Sequence, residues 1–75
     1  MTETLRLGLI GCGSLGHVHA GCVGKIEGAA FVAYGDISQE AADRALAAFG
    51  GDYAATDVER IFGDDSIDAI YICTR

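Results

Sequence analysis

At 75 residues the chain has room for one small domain and not for two, and a composition 51% apolar and 21% charged is that of a globular protein. Its net charge is −6, and the basic residues Arg6, Lys25, Arg44, Arg60 and Arg75 are scattered, so no patch exists to neutralise a nucleic-acid backbone. Its apolar runs fall far short of the ~20 residues a membrane helix needs, and an N-terminus with Glu3 and no basic region is not a signal peptide.

The first element expected is a strand from Leu5 to Ile10, nearly continuous in apolar residues and therefore buried on both faces. It breaks at Gly11. Gly11, Gly13 and Gly16 stand at G-x-G-x-x-G spacing, and beyond them the pattern changes to helical, with Leu15, Val18, Cys22, Val23 and Ile26 as an inward stripe. This first helix should run from Ser14 to Glu27 and end at Gly28 in a left-handed cap. Gly21 and Gly24 are costly inside a helix, and close packing against the sheet would explain them.

Phe31, Val32, Ala33 and Tyr34 make a second strand that stops at Gly35-Asp36. Ser38 is placed to cap a second helix from Gln39 to Phe49, which Gly50-Gly51 ends. A short third strand follows at Asp52 to Ala55. Thr56-Asp57-Val58-Glu59 has the form of a capping box, with Thr56 as the cap of a brief third helix stopped by Gly63-Asp64-Asp65. Ile67 to Cys73 reads as a fourth buried strand.

The order β-α-β-α-β-α-β predicts a parallel α/β sheet with strand order 3-2-1-4, half of a doubly wound Rossmann fold. Residues 1–75 are then the N-terminal part of a dinucleotide-binding domain, with any substrate domain outside the chain.

The glycine spacing alone is weak evidence, because glycine is 11 of the 75 residues. Its position between a strand and a helix, with Asp36 standing 20 residues after Gly16, makes it much stronger. A pyrophosphate needs N–H donors and positive potential, which a helix N-terminus supplies. Gly11 permits the tight turn, Gly13 the close approach of backbone to phosphate, and Gly16 the packing of helix on strand, with Ser14 and Leu15 N–H as donors. Asp36 can accept from both hydroxyls of an adenosine ribose and would repel a 2′-phosphate. Ile37-Ser38-Gln39 offers no cation to offset that, so NAD is expected over NADP. The plainer alternatives are a glycine-rich connecting turn and a turn or cap aspartate.

Cys73 and Thr74 end the fourth strand, where they could line the cofactor cleft. His17 and His19 are two apart, point to different sides of a helix, and cannot share a metal. Cys12, Cys22 and Cys73 are odd in number and lack metal-ligand spacing, as buried thiols of a reduced cytoplasmic protein would be; a Cys12–Cys73 disulfide is conceivable.

The chain resembles the N-terminal end of the Gfo/Idh/MocA family, the oxidoreductases related to glucose–fructose oxidoreductase and inositol 2-dehydrogenase. The resemblance rests on Leu7-Gly8-Leu9-Ile10-Gly11-Cys12-Gly13 through Gly16, on His19-Ala20, and on Gly28-Ala29-Ala30-Phe31-Val32-Ala33. Asp36 and Ile67-Asp68-Ala69-Ile70-Tyr71-Ile72-Cys73-Thr74 complete it. It implies a Rossmann domain joined to a substrate domain, and hydride transfer between a nicotinamide ring and a hydroxyl carbon of a sugar, cyclitol or related compound. By the same resemblance Gly11, Gly13, Ser14, Leu15 and Gly16 would meet the pyrophosphate, Asp36 and Ile37 the adenosine, and Thr74 the region of the ribose and phosphates. Arg75 stands where many members have proline, and the family's Glu-Lys-Pro segment with its catalytic lysine has no counterpart in these residues.

The chain alone is therefore expected to catalyse no turnover. With its fourth strand at a sheet edge and one face thinly covered, it is expected to pair with a second copy. A non-enzymatic dinucleotide-sensing module would use the same turn and the same acid. A methyltransferase would share the glycine turn but space its glycines differently.

Overall fold

The structure is a computed structural model that describes residues 5–13, 21–22 and 28–73. Strands β1 (Leu5–Ile10), β2 (Ala29–Gly35), β3 (Tyr53–Ala55) and β4 (Ala69–Ile72) form one all-parallel sheet in the order β3-β2-β1-β4, as expected. Helix α1 (Gln39–Phe49) follows β2, and the short helix α2 (Val58–Phe62) follows β3. The expected helix of residues 14–27 falls largely outside the described residues, as does Gly24; Gly21 and Cys22 are helical.

The core divides between the two faces of the sheet. On one face Leu7, Leu9, Cys12, Phe31 and Tyr34 pack with Ala45 of α1. On the other, Ile10, Val32 and Ala33 pack with Ile61 of α2. Strict alternation would not put Phe31 and Tyr34 on one face and the consecutive Val32 and Ala33 on the other. The pairing explains it: Leu7 lies opposite Phe31 but Gly8 opposite Ala33, so Val32 is one residue extra in β2.

The helix that crosses the second face seats on glycine. A β-carbon at Gly8 would lie 2.7 Å from Ile61 Cγ2, and one at Gly35 would lie 2.7 Å from Ile61 Cδ1. Two strand positions without side chains thus let Ile61 descend onto the backbone, where it is fully buried.

Ser38 caps α1 as expected, its hydroxyl accepting from the Ala41 N–H at 3.3 Å. The cap of α2 is Asp57, not Thr56. The Asp57 carboxylate accepts from the Glu59 N–H at 3.0 Å, and a charged acceptor suits the positive helix end better than a hydroxyl. Gly28 has φ +89, the left-handed conformation expected of it.

Other expectations are corrected. Leu5 is 45% exposed, so β1 is buried only from Leu7 onward. Strand β4 begins at Ala69 because the Ile67 N–H donates to the Asp64 carbonyl in the preceding turn. Strand β4 is not buried either: Ile72 is 61% exposed, since an edge strand is flanked on one side only. Among the described residues nothing lies within 4 Å of where a β-carbon would stand on Gly21, so close packing against the described sheet does not account for that glycine. Cys22 is exposed rather than inward, and nothing among the described residues explains it.

Candidate functional site

Parallel strands bring the ends of β1, β2 and β4 to one edge of the sheet. The segments leaving them enclose a cleft of about 590 Å³, the size of a small-molecule site. Gly11 and Gly13 come from the turn after β1, Asp36 and Ile37 from the end of β2, and Cys73 from the end of β4. Ser14, Leu15, Gly16 and Thr74, expected at the same place, lie outside the described residues, as do His17, His19 and Arg75. Ile10 and Val58 also line the cleft and were not anticipated. Ile10 could have been read from its place as the last residue of β1. Val58 could not, because its position depends on where α2 crosses the sheet.

The glycine turn has the local geometry a ligand cradle requires. Gly11 has φ +90, a region that side chains with a β-carbon rarely enter, and its N–H donates to the Gly35 carbonyl at 2.8 Å. At Gly13 a β-carbon would meet no atom of the described residues within 4 Å. Gly13 also lines the cleft, where a phosphate could approach its backbone.

Asp36 is partly buried and held at both oxygens. Its Oδ2 accepts from the Cys12 N–H at 2.8 Å and its Oδ1 from the Ser38 N–H at 2.9 Å. A carboxylate oxygen has two lone-pair sites, so each keeps one for a ligand hydroxyl. Ile37 beside it is 94% exposed, an apolar surface at the cleft mouth facing the solvent. These features fit the adenosine and pyrophosphate portions of a dinucleotide.

The Cys12 thiol is buried at the edge of this site. Burial first, then the charges of Asp36 and Cys73, push its thiol up to about 11, against a small opposing effect of its bond to Gly35. It is therefore protonated at neutral pH and a poor nucleophile. Its S–H donates to the Gly35 carbonyl at 3.4 Å. Cys12, Cys22 and Cys73 are all free, so the conceivable disulfide is not formed. Among the described residues no cluster of three or more potential ligands could hold a metal, and no helix is long and apolar enough to cross a membrane.

Comparison with known proteins agrees with this geometry. The family model GFO_IDH_MocA, described as an oxidoreductase family with an NAD-binding Rossmann fold, matches residues 5–75. Inositol 2-dehydrogenase 4 of Saccharopolyspora erythraea is 38% identical over 71 residues, covering 93% of this chain and 21% of that protein. The crystal structure of myo-inositol dehydrogenase from Lactobacillus casei in complex with NAD(H) and myo-inositol superposes with a TM-score of 0.87. It is 30% identical, over 96% of this chain and 22% of that one. The scyllo-inositol dehydrogenase of the same organism, with bound NAD(H) and scyllo-inositol, gives a TM-score of 0.86 at 27% identity, over 97% and 22%. The chain thus spans about a fifth of the length of these relatives and resembles the NAD-binding domain of inositol dehydrogenases. With a family match over 5–75, a 3-2-1-4 parallel sheet and a glycine turn facing an acid at the end of β2, the chain belongs to the Gfo/Idh/MocA oxidoreductases, in their NAD-binding Rossmann fold.

Proposed function

We propose that residues 1–75 are the N-terminal, NAD-binding part of a dehydrogenase that moves hydride between a nicotinamide cofactor and a sugar, cyclitol or related hydroxy compound. The observation that carries the reading is the meeting of Gly11, Gly13, Asp36, Ile37 and Cys73 around one cleft. The relatives named for inositol support the substrate class.

In this reading the backbone of the turn at Gly11 and Gly13, continuing through Ser14, Leu15 and Gly16, holds the pyrophosphate. Asp36 accepts from the hydroxyls of the adenosine ribose with its two remaining lone-pair sites. Ile37 and Val58 give the adenine an apolar surface, and Cys73 and Thr74 lie toward the ribose and phosphates. The nicotinamide ring, when bound, supplies the hydride chemistry. The described residues around the cleft contribute one carboxylate and a thiol, and no group there is assigned as catalytic acid or base. The chain alone is therefore proposed to bind cofactor without turnover.

NAD is the proposed cofactor in preference to NADP. A 2′-phosphate would stand against the Asp36 carboxylate, and the neighbouring Ile37, Ser38 and Gln39 carry no positive charge. Titration calorimetry with each dinucleotide tests both points: NAD should bind, and NADP more weakly. Tighter binding of NADP would overturn the preference, and no heat from saturating NAD would overturn the reading.

Two further proposals accompany it. Three free cysteines suit a reducing cytoplasm. The edge strand β4, with Ile72 61% exposed, and Phe62 at 56% on α2 suit self-association of the chain. Sedimentation showing a stable monomer at high concentration would exclude the pairing.

A further inference from the structure

Asp36 does more than wait for a ligand. Its bond to the Ser38 N–H is the local turn that a short carboxylate makes with the backbone two residues on. Its bond to the Cys12 N–H is different, because it spans 24 residues and reaches the middle of the glycine turn. Among the described residues three bonds tie that turn to the end of β2. Two converge on the Gly35 carbonyl, from the Gly11 N–H and the Cys12 thiol. The third is the Cys12 N–H on Asp36, and it alone uses a charged acceptor.

The peptide between Gly11 and Cys12 is fixed in direction by that third bond, since its N–H must point at the carboxylate. Glycine on either side of Cys12 leaves the backbone unusually free to turn. The glycines thus permit the cradle shape, and an external bond must hold it. We infer that Asp36 is a positioning residue for the phosphate turn, in addition to accepting the ribose hydroxyls. Recognition of the sugar and recognition of the phosphates are then coupled through one carboxylate. Replacing Asp36 to admit a 2′-phosphate loosens the cradle that must hold the other two phosphates. The inference rests on the proposed dinucleotide reading of the cleft.

The test compares the chain with its Asp36→Ala and Asp36→Asn variants, using amide hydrogen exchange and inorganic pyrophosphate as the probe. In Asp36→Ala the Cys12 amide should exchange about tenfold faster or more, the size expected for loss of a charge-assisted bond, while the Leu9 and Tyr34 amides of the sheet keep their protection. Pyrophosphate should bind the Ala variant several-fold more weakly. Removing a negative charge beside an anion site would by itself strengthen binding, so the two effects differ in sign. Asp36→Asn keeps one acceptor oxygen without the charge, enough for either the Cys12 or the Ser38 N–H but not both. It should recover Cys12 protection and pyrophosphate binding only in part, between the Ala variant and the parent chain. Unchanged Cys12 exchange in Asp36→Ala, or pyrophosphate binding there as tight as in the parent chain, would overturn the inference. Should the parent chain bind no pyrophosphate at all, the cofactor reading itself fails, and the Cys12 exchange rate alone decides whether Asp36 holds the turn.

Discussion

The two edges of the sheet are built to opposite ends. At the edge where the strands finish, glycine, a partly satisfied carboxylate and an exposed isoleucine surround an open cleft. At the edge where they begin, polar groups close on one another. The Arg6 N–H donates to Asp68 Oδ2 at 2.8 Å, its Nε to the Ser66 carbonyl at 3.0 Å, and its Nη2 to Asp52 Oδ2 at 2.5 Å. Asp64 accepts from the Ser66 hydroxyl and N–H and from the Tyr53 hydroxyl, while the Arg60 guanidinium lies 4.2 Å above the Tyr53 ring. Because all four strands run the same way, loops that lead into strands gather at one edge and loops that leave them at the other. One edge can then spend its polar groups on cohesion while the other keeps acceptors free for a ligand.

Breaking the open edge should abolish binding and spare the fold. Gly13 lines the cleft, has no atom of the described residues within 4 Å of where its β-carbon would stand and no left-handed φ, so Gly13→Val should fill the cradle. NAD affinity should fall roughly hundredfold or more, about 2.7 kcal/mol, with stability within about 0.5 kcal/mol of the parent chain. Calorimetry and thermal melts read the two quantities separately. Between the edges, Gly8→Ala should destabilise by about 1–3 kcal/mol, because its β-carbon would press on Ile61 at 2.7 Å. Combining it with Ile61→Ala, which removes the Cγ2 that the new β-carbon would press on, should give less than the sum of the two losses in a denaturant titration.

Breaking the closed edge should do the reverse. Arg6→Met should cost about 1–2 kcal/mol of stability through its lost hydrogen bonds, while NAD affinity of the folded chain stays unchanged. The finest test is acid. Asp64 is held below its ordinary value of 3.8 by the Ser66 hydroxyl first, then by the Tyr53 hydroxyl and the Ser66 N–H. A lowered folded pKa contributes stability that is present above 3.8 and lost as pH falls through the folded value. Ser66→Ala removes the largest cause. The variant should therefore be slightly less stable than the parent at pH 6, and the gap should shrink toward pH 2.

Much of the open edge was legible because it rests on local signals joined by topology. An apolar run, a glycine spacing, an acid at a strand end and a Ser38 cap are each readable in a few residues, and parallel order then brings Gly11, Asp36 and Cys73 together. What was not legible depends on residues that meet only after folding. The Asp36 bond to Cys12 and the Arg6 bonds to Asp52 and Ser66 leave no mark in spacing. The extra Val32 in β2 is hidden inside a continuous apolar run, where no polar residue reveals which face is which. Competition between two neighbouring cap residues, Thr56 and Asp57, was settled by charge.

The seating of Ile61 over Gly8 and Gly35 also bears on the cleft. Val58, one turn earlier on that five-residue helix, forms a wall of the cleft, so the helix that Ile61 seats on the sheet also carries one side of the aperture. A methyl group at Gly35 would itself stand 3.1 Å from Ile10 Cδ1 and 3.4 Å from Val58 Cγ1, so the bare backbone there makes room for two walls of the cleft as well as for Ile61.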